Sequence, residues 1–197
     1  MHYTAAVITV SDLGSRGLRQ DTSGPVVCAM LQEAGFTVVH TAIVPDEIER
    51  IKAVLCDCAD EKRIDLIVTT GGTGLSPRDV TPEATLAVLE REIRAIPVAM
   101  WIEGLKITPR AMLSRAVAGT RGNSLILNLP GSEKAARENL TAVIGVLEHA
   151  LPLCCALPPA CGTNVLYWRT PFLFFLPTLT GSRRIILVRS ADFSNTM

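Results

Sequence analysis

Neither charge dominates this sequence of 197 residues: 19 Lys and Arg stand against 19 Asp and Glu. Without a basic excess there is no electrostatic footprint for a phosphate backbone, which argues against a dedicated nucleic-acid binder. Met1–Val10 has no basic region ahead of its apolar run, so a signal peptide is not expected. The most apolar stretch, Phe172–Leu176 (FLFFL), is interrupted by Pro171 and Pro177 and falls short of the ~20 residues of a membrane span. Repeats and low-complexity tracts are missing. At 48% hydrophobic residues the chain is too apolar for disorder, and 14 Gly and 12 Pro are too few for collagen. Histidine is scarce and scattered (His2, His40, His149), and Cys28, Cys56, Cys58, Cys154, Cys155 and Cys161 form no C-x-x-C pair. No recurring ligand spacing points to a metal site, and no Ser/His/Asp or Cys/His arrangement points to a nucleophile. The cysteines read as reduced, structural thiols of a cytosolic protein.

What is present is an alternation of strand and helix patterns from Tyr3 to Leu151. Thr4–Val10 (TAAVITV), Phe36–Val44 (FTVVHTAIV) and Asp65–Thr69 (DLIVT) are short apolar runs with β-branched residues, the signature of buried strands. Ser11-Asp12 ends the first, and a polar loop follows. A helix opens at Ser23-Gly24-Pro25 and closes near Gly35; a second starts at Pro45-Asp46-Glu47, and Ile48, Ile51, Val54, Leu55 and Cys58 recur at helical spacing along it. Thr81-Pro82-Glu83 starts a third, which runs through Leu86 and Leu89 to Arg91. Val98–Lys106 and Pro109–Arg115 read as helical. Ala116–Gly119 and Leu125–Leu129 read as strands around a Gly122-Asn123 turn, and Glu133–His149 as a last amphipathic helix. Such alternation implies a three-layer α/β/α domain over residues 1–151 with a mostly parallel sheet. From Pro152 the composition changes: Lys and Glu disappear, and residues 152–197 form an apolar tail of net charge +3 against −3 for the body.

Ligands of parallel sheets bind beyond the carboxyl ends of the strands. Four polar motifs fall there: Ser11-Asp12, Pro45-Asp46, the loop Thr70–Asp79 and Pro130-Gly131-Ser132. Gly71, Gly72 and Gly74, straight after a buried strand, let backbone N–H groups approach an anion. Thr73, Ser76 and Thr81 add hydroxyls, and Arg78 adds a fixed positive charge. Asp79 is an acid amid this anion-binding chemistry, which makes sense with Mg²⁺ between carboxylate and phosphate. On spacing alone Asp46 reads first as the N-cap of the helix after Pro45, and as a second metal carboxylate because it lies at a strand end like Asp79. Asp12 and Asp21 read as capping or turn residues. The loop lacks the terminal Gly-Lys-Ser/Thr of a P-loop and the spacing of a dinucleotide fingerprint.

TTGGTGLSPRDVTPEAT (Thr69–Thr85), VSD (Val10–Asp12), PDE (Pro45–Glu47), MLSRAVAG (Met112–Gly119) and LNLPGS (Leu127–Ser132) together resemble the molybdopterin adenylyltransferase family. These are the MogA/MoaB-type proteins of molybdenum cofactor biosynthesis, and the N-terminal part of gephyrin is similar. The resemblance implies a cytoplasmic homotrimer that transfers AMP from Mg²⁺-bound ATP to the terminal phosphate of molybdopterin, releases pyrophosphate, and hands its product to a molybdenum insertion protein. It implies that Asp46 and Asp79 are the catalytic carboxylates, with Mg²⁺ near both. Thr70, Gly71, Gly72, Thr73, Gly74 and Ser76 match the nucleotide and pterin-phosphate loop, with Arg78 beside it. Ser11, Asp12, Ser114, Gly131 and Ser132 match pocket residues. A paralogue or scaffold that binds without transferring AMP is the other reading, and the retention of both acids argues against it.

Overall fold

A computed structural model describes residues 3–154. Its centre is a sheet of six strands in the order β2-β1-β3-β6-β5-β4. The strands are β1 (Thr4–Val10), β2 (Thr37–Val44), β3 (Leu66–Thr70), β4 (Arg91–Glu92), β5 (Ala118–Arg121) and β6 (Ser124–Leu129). β1, β2, β3 and β6 run parallel, whereas β4 and β5 pair antiparallel at one edge. The parallel strands therefore end on one edge, at Val10, Val44, Thr70 and Leu129.

Alternate side chains of the central strands feed two cores, as period-2 geometry requires. On one face Ala5, Val7, Leu66, Val68, Leu125 and Leu127 pack under α2 (Ser23–Glu33), α5 (Ala95–Ile107) and α6 (Glu133–Cys154). On the other Ala6, Ile8, Val10, Ile67 and Ile126 pack under α3 (Ile48–Cys56) and α4 (Thr81–Leu86). This is the expected three-layer sandwich. In α6, Ala136, Leu140, Val143, Leu147 and Leu151 are all buried, one stripe at three- and four-residue spacing. That stripe carries the helix past His149, through Pro152, to Cys154; the boundary expected after Leu151 falls in its last turn. Residues 155–197, most of the expected tail, lie outside the described residues, as do Cys155 and Cys161.

Three local expectations are corrected. The helix from Thr81 ends at Leu86, and Arg91–Glu92 is an edge strand. Leu86 is 46% exposed, and beyond it only Val88 is buried before the chain reaches the sheet edge. The chain pairs with β5 instead, Glu90 and Ile93 donating backbone N–H groups to Thr120 and Ala118. β5 starts at Ala118, two residues late. After Ser11 the chain forms one helical turn, α1 (Asp12–Ser15), where a loop was expected, because the Ser11 hydroxyl accepts the Gly14 N–H at 3.1 Å. Asp21 is a cap: its carboxylate accepts the Gly24 N–H at 2.9 Å and the Thr9 hydroxyl at 2.6 Å, tying α2 to the sheet. Cys28, Cys56 and Cys58 are free thiols.

Candidate functional site

The Gly-rich loop leaves β3 on the edge where the parallel strands end. Gly71 and Gly72 take φ values of 104° and 63°, which L side chains rarely adopt. Space forbids a side chain as well. A Cβ on Gly71 would lie 2.3 Å from the Val10 carbonyl oxygen, and one on Gly72 2.3 Å from the Thr81 hydroxyl and 3.0 Å from an Asp46 carboxylate oxygen. The Thr81 hydroxyl donates to the Gly71 carbonyl at 2.9 Å and fastens the loop to the start of α4. Thr70 is fully buried, and its hydroxyl donates to the Pro130 carbonyl at 2.8 Å. Beneath, the buried Asn128 amide donates to the Thr69 and Thr85 hydroxyls, both at 2.9 Å. The loop is thus anchored to β3, β6 and α4.

Beside it opens a cleft of about 640 Å³. Gly72, Thr73, Gly74 and Asp79 form one wall, and Ser114 lines it with Thr108 and Arg110 from the 3₁₀ turn Pro109–Leu113 and the residue before it. Gly131, Ser132 and Lys134, at the start of α6, close the third side. Ser132 caps that helix, its hydroxyl accepting the Ala135 N–H at 3.3 Å. The Asp79 carboxylate accepts the Ser76 N–H at 2.9 Å, and its neighbour Gly74 has no room for a Cβ, which would lie 2.9 Å from that carboxylate. Ser76 in turn accepts the Arg78 N–H.

Asp46, Asp12, Arg78 and Ser11 form a second group outside the cleft lining, adjoining Gly72 through Asp46. Asp46 does not cap α3; Glu47 occupies that position without a side-chain cap. The Asp46 carboxylate accepts the Asp12 N–H at 2.8 Å, and the Asp12 carboxylate accepts the Asp46 N–H at 3.1 Å, so β1 and β2 are latched at their ends. Arg78 reaches Asp12 with both Nε (3.0 Å) and Nη2 (2.8 Å). That bond holds the Asp12 carboxyl below its ordinary range. Burial pushes the Asp46 carboxyl above its ordinary range against the opposing Asp12 N–H, and the charges of Asp12 and Asp79 raise it further.

Arg115, Arg110 and Lys134 were not singled out from the sequence. Arg115 is the clamp of the Gly-rich loop. Its backbone N–H donates to Thr73 O at 2.9 Å, its Nε to Gly74 O at 2.7 Å, its Nη2 to Asp79 O, and its Nη1 pairs with Glu83. Lys134 had a readable signal: a lysine in the first turn of a helix opposes the dipole, which suits an anion there. With Arg110 it adds cationic residues to the lining of a cleft that the Gly-rich loop also borders, chemistry that suits an anion.

Residues 6–149 match the family model described as "Probable molybdopterin binding domain". The chain is 42% identical over 149 residues to the molybdopterin adenylyltransferase of Helicobacter pylori J99, covering 75% of this chain and 85% of that protein. It is also 42% identical to gephyrin of Dictyostelium discoideum over 79% of this chain, and 44% identical to the molybdenum cofactor synthesis protein cinnamon of Drosophila melanogaster over 76%. It spans only 23% and 25% of those two longer proteins. Among solved structures, the molybdopterin biosynthesis enzyme MoaB of Thermus thermophilus superposes with a TM-score of 0.75 at 51% identity, covering 79% of this chain and 98% of that one. With a family model over most of its length and a relative matched over most of that relative's own, this chain belongs to the molybdopterin-binding family of molybdenum cofactor biosynthesis.

Proposed function

We propose that the protein is a molybdopterin adenylyltransferase, moving AMP from ATP to the terminal phosphate of molybdopterin with release of pyrophosphate. The carrying observation is the juxtaposition of an anion-binding loop with two acids, Asp46 and Asp79, that face Gly72 and Gly74. An oxygen of the pterin phosphate forms the new bond to the α-phosphorus. The bond from that phosphorus to the α,β-bridging oxygen breaks, and the pyrophosphate keeps the electron pair. The attacking oxygen is already anionic, so alignment matters more than a strong base. Loop N–H groups, Arg110 and Lys134 hold phosphates in the cleft and bear the charge that develops on them.

The donor set fits Mg²⁺: carboxylate oxygens are hard ligands, and the absence of side chains at Gly72 and Gly74 brings the loop backbone close against both acids. Asp46 and Asp79 would hold the ion, which supplies charge neutralisation at the phosphates. The Asp46 carboxyl is raised first by burial and then by the charges of Asp12 and Asp79, and a cation would offset the like-charge part.

The assembly proposed is a homotrimer in the cytoplasm, passing its product to a molybdenum insertion protein. Exposed Ile102, Leu105, Ile107, Met112 and Leu113 on and after α5 support burial between subunits. No helix of the described residues is long and apolar enough to cross a membrane. The test is substitution: Asp46→Ala and Asp79→Ala are expected to abolish AMP transfer while leaving the fold and much of the pterin affinity. Near-wild-type turnover in both would refute the two-acid assignment.

A further inference from the structure

Far from the cleft, two irregularities of the backbone meet. The first is a bulge in β2. Ala5 pairs with Val38 but Ala6 pairs with His40, so Val39 is the extra residue. Val38 packs with the core under α2 and α6, whereas Ala42 and Val44 pack with the core under α3. The bulge thus turns the strand over and delivers His40 to the α3 side. The second is a single π-helical turn, Asp57–Glu61, that continues α3. Lys62 N–H closes it on Asp57 O at 2.9 Å, and Ile64 N–H bonds Cys58 O at 3.0 Å. Arg63 follows with φ 51°, in the left-handed region. π-turns are rare and concentrate at functional sites.

The side chains these two features bring together are His40, Asp57 and Cys58. An imidazole nitrogen, a carboxylate oxygen and the sulfur lie within 4.8 Å of one another, the one such group of three among the described residues. Cys58 is fully buried while His40 and Asp57 are partly exposed, so the trio has a protein side and a solvent side. Lys62 pairs with one Asp57 carboxylate oxygen, Oδ2.

We propose that His40, Asp57 and Cys58 form a binding site for a borderline-soft divalent cation of the Zn²⁺ type, separate from the nucleotide cleft. Nitrogen, thiolate and carboxylate donors select Zn²⁺ or Co²⁺ over Mg²⁺, which requires oxygen ligands and keeps its waters. Three protein ligands leave a fourth tetrahedral position to water on the exposed side. His40 lies about 13 Å along β2 from the strand end at Val44, at ~3.3 Å per residue, so the bound ion takes no part in AMP transfer. It ties the edge strand β2 to the segment leading into β3. Because the unfolded chain holds no such trio, binding stabilises the native state by mass action.

The probe is Co²⁺ titrated into the full-length protein, followed by thiolate-to-cobalt charge-transfer absorption, with Zn²⁺ as competitor and the thermal midpoint as a second readout. The expected result is one ion per chain, displacement by Zn²⁺, no competition from a large excess of Mg²⁺, and a raised Tm. Cys58→Ser removes the absorption band. His40→Gln, a partly exposed change that leaves the core intact, weakens binding at least tenfold and removes the Tm shift. AMP transfer with Mg²⁺ is unchanged in His40→Gln. Wild-type protein that binds no Co²⁺ stoichiometrically, or that binds it as tightly after His40→Gln, overturns the proposal.

Discussion

Arg115→Ala is the most informative single change, because the side chain touches the Gly-rich loop through backbone carbonyls at both ends. The substitution removes the Nε bond to Gly74 O at 2.7 Å, the Nη2 bond to Asp79 O and the pair with Glu83. Hydrogen bonds from a charged group contribute roughly 1.5–3 kcal/mol each. The Arg115 side chain is 35% exposed, so water replaces part of this, and the two carbonyl bonds together are set at about 3 kcal/mol. The Glu83 pair, half in solvent, adds less than about 1 kcal/mol. The loss falls on the order of residues 73–79 rather than on the cores, so Tm drops by less than about 6 °C although ~2–4 °C per kcal/mol is usual at this size. Catalysis depends on that order. About 3 kcal/mol of lost positioning corresponds to a kcat lowered about 100-fold, with KM for ATP changed much less. Arg115→Lys keeps the charge but not the fork, and recovers part of the rate. Initial rates give the kcat and KM split, and amide exchange over residues 72–80 reports the loop. Wild-type kcat with unchanged exchange would refute the clamp.

Asp46→Asn is expected to raise Tm at neutral pH while abolishing transfer. The Asp46 carboxyl is raised in the folded state, so folding favours its protonated form; stability is lost as pH rises through that window, and the neutral amide escapes the loss. A scan of Tm against pH for both proteins checks this, the gap closing in acid. Gly72→Ala, at φ 63° and 2.3 Å from the Thr81 hydroxyl, is expected to cost ~3 kcal/mol or more from the left-handed backbone and the lost buried bond, read by denaturant unfolding. Excess EDTA is expected to stop AMP transfer, and added Mg²⁺ to restore it. Deleting Pro158–Met197 is expected to leave a folded, active protein; aggregation or inactivity of the truncated chain would place the tail in the fold.

Most of the architecture was legible because it rests on local pattern. The parallel strands β1, β3 and β6 are almost wholly buried and carry mostly apolar residues, and the stripe of α6 announces itself at Leu140, Val143 and Leu147. What was not legible depends on partners far along the chain. Leu86 and Leu89 keep helical spacing, yet strand pairing with Thr120 and Ala118 takes over after Leu89. Asp46 has the local grammar of an N-cap, but its partner is an amide 34 residues away at Asp12. Arg115 looks like the end of a helical turn, and its carbonyl partners lie 41 and 36 residues back. His40 and Cys58 have no metal-ligand spacing in sequence; a bulge and a π-turn bring them together. The motif residues of the site were legible one by one. Their division into a cleft group around Asp79 and a latch group around Asp12 and Asp46 was not, since it follows from how β1 and β2 end.

The central claim is tested most directly by following the α-phosphate. Purified protein is incubated with molybdopterin and Mg·ATP labelled at the α-phosphorus, and the pterin products are separated. The account predicts that the label moves to molybdopterin in step with pyrophosphate release, and that neither occurs with Asp79→Ala. Label recovered only as ATP, or as free AMP while molybdopterin stays unmodified, would contradict it.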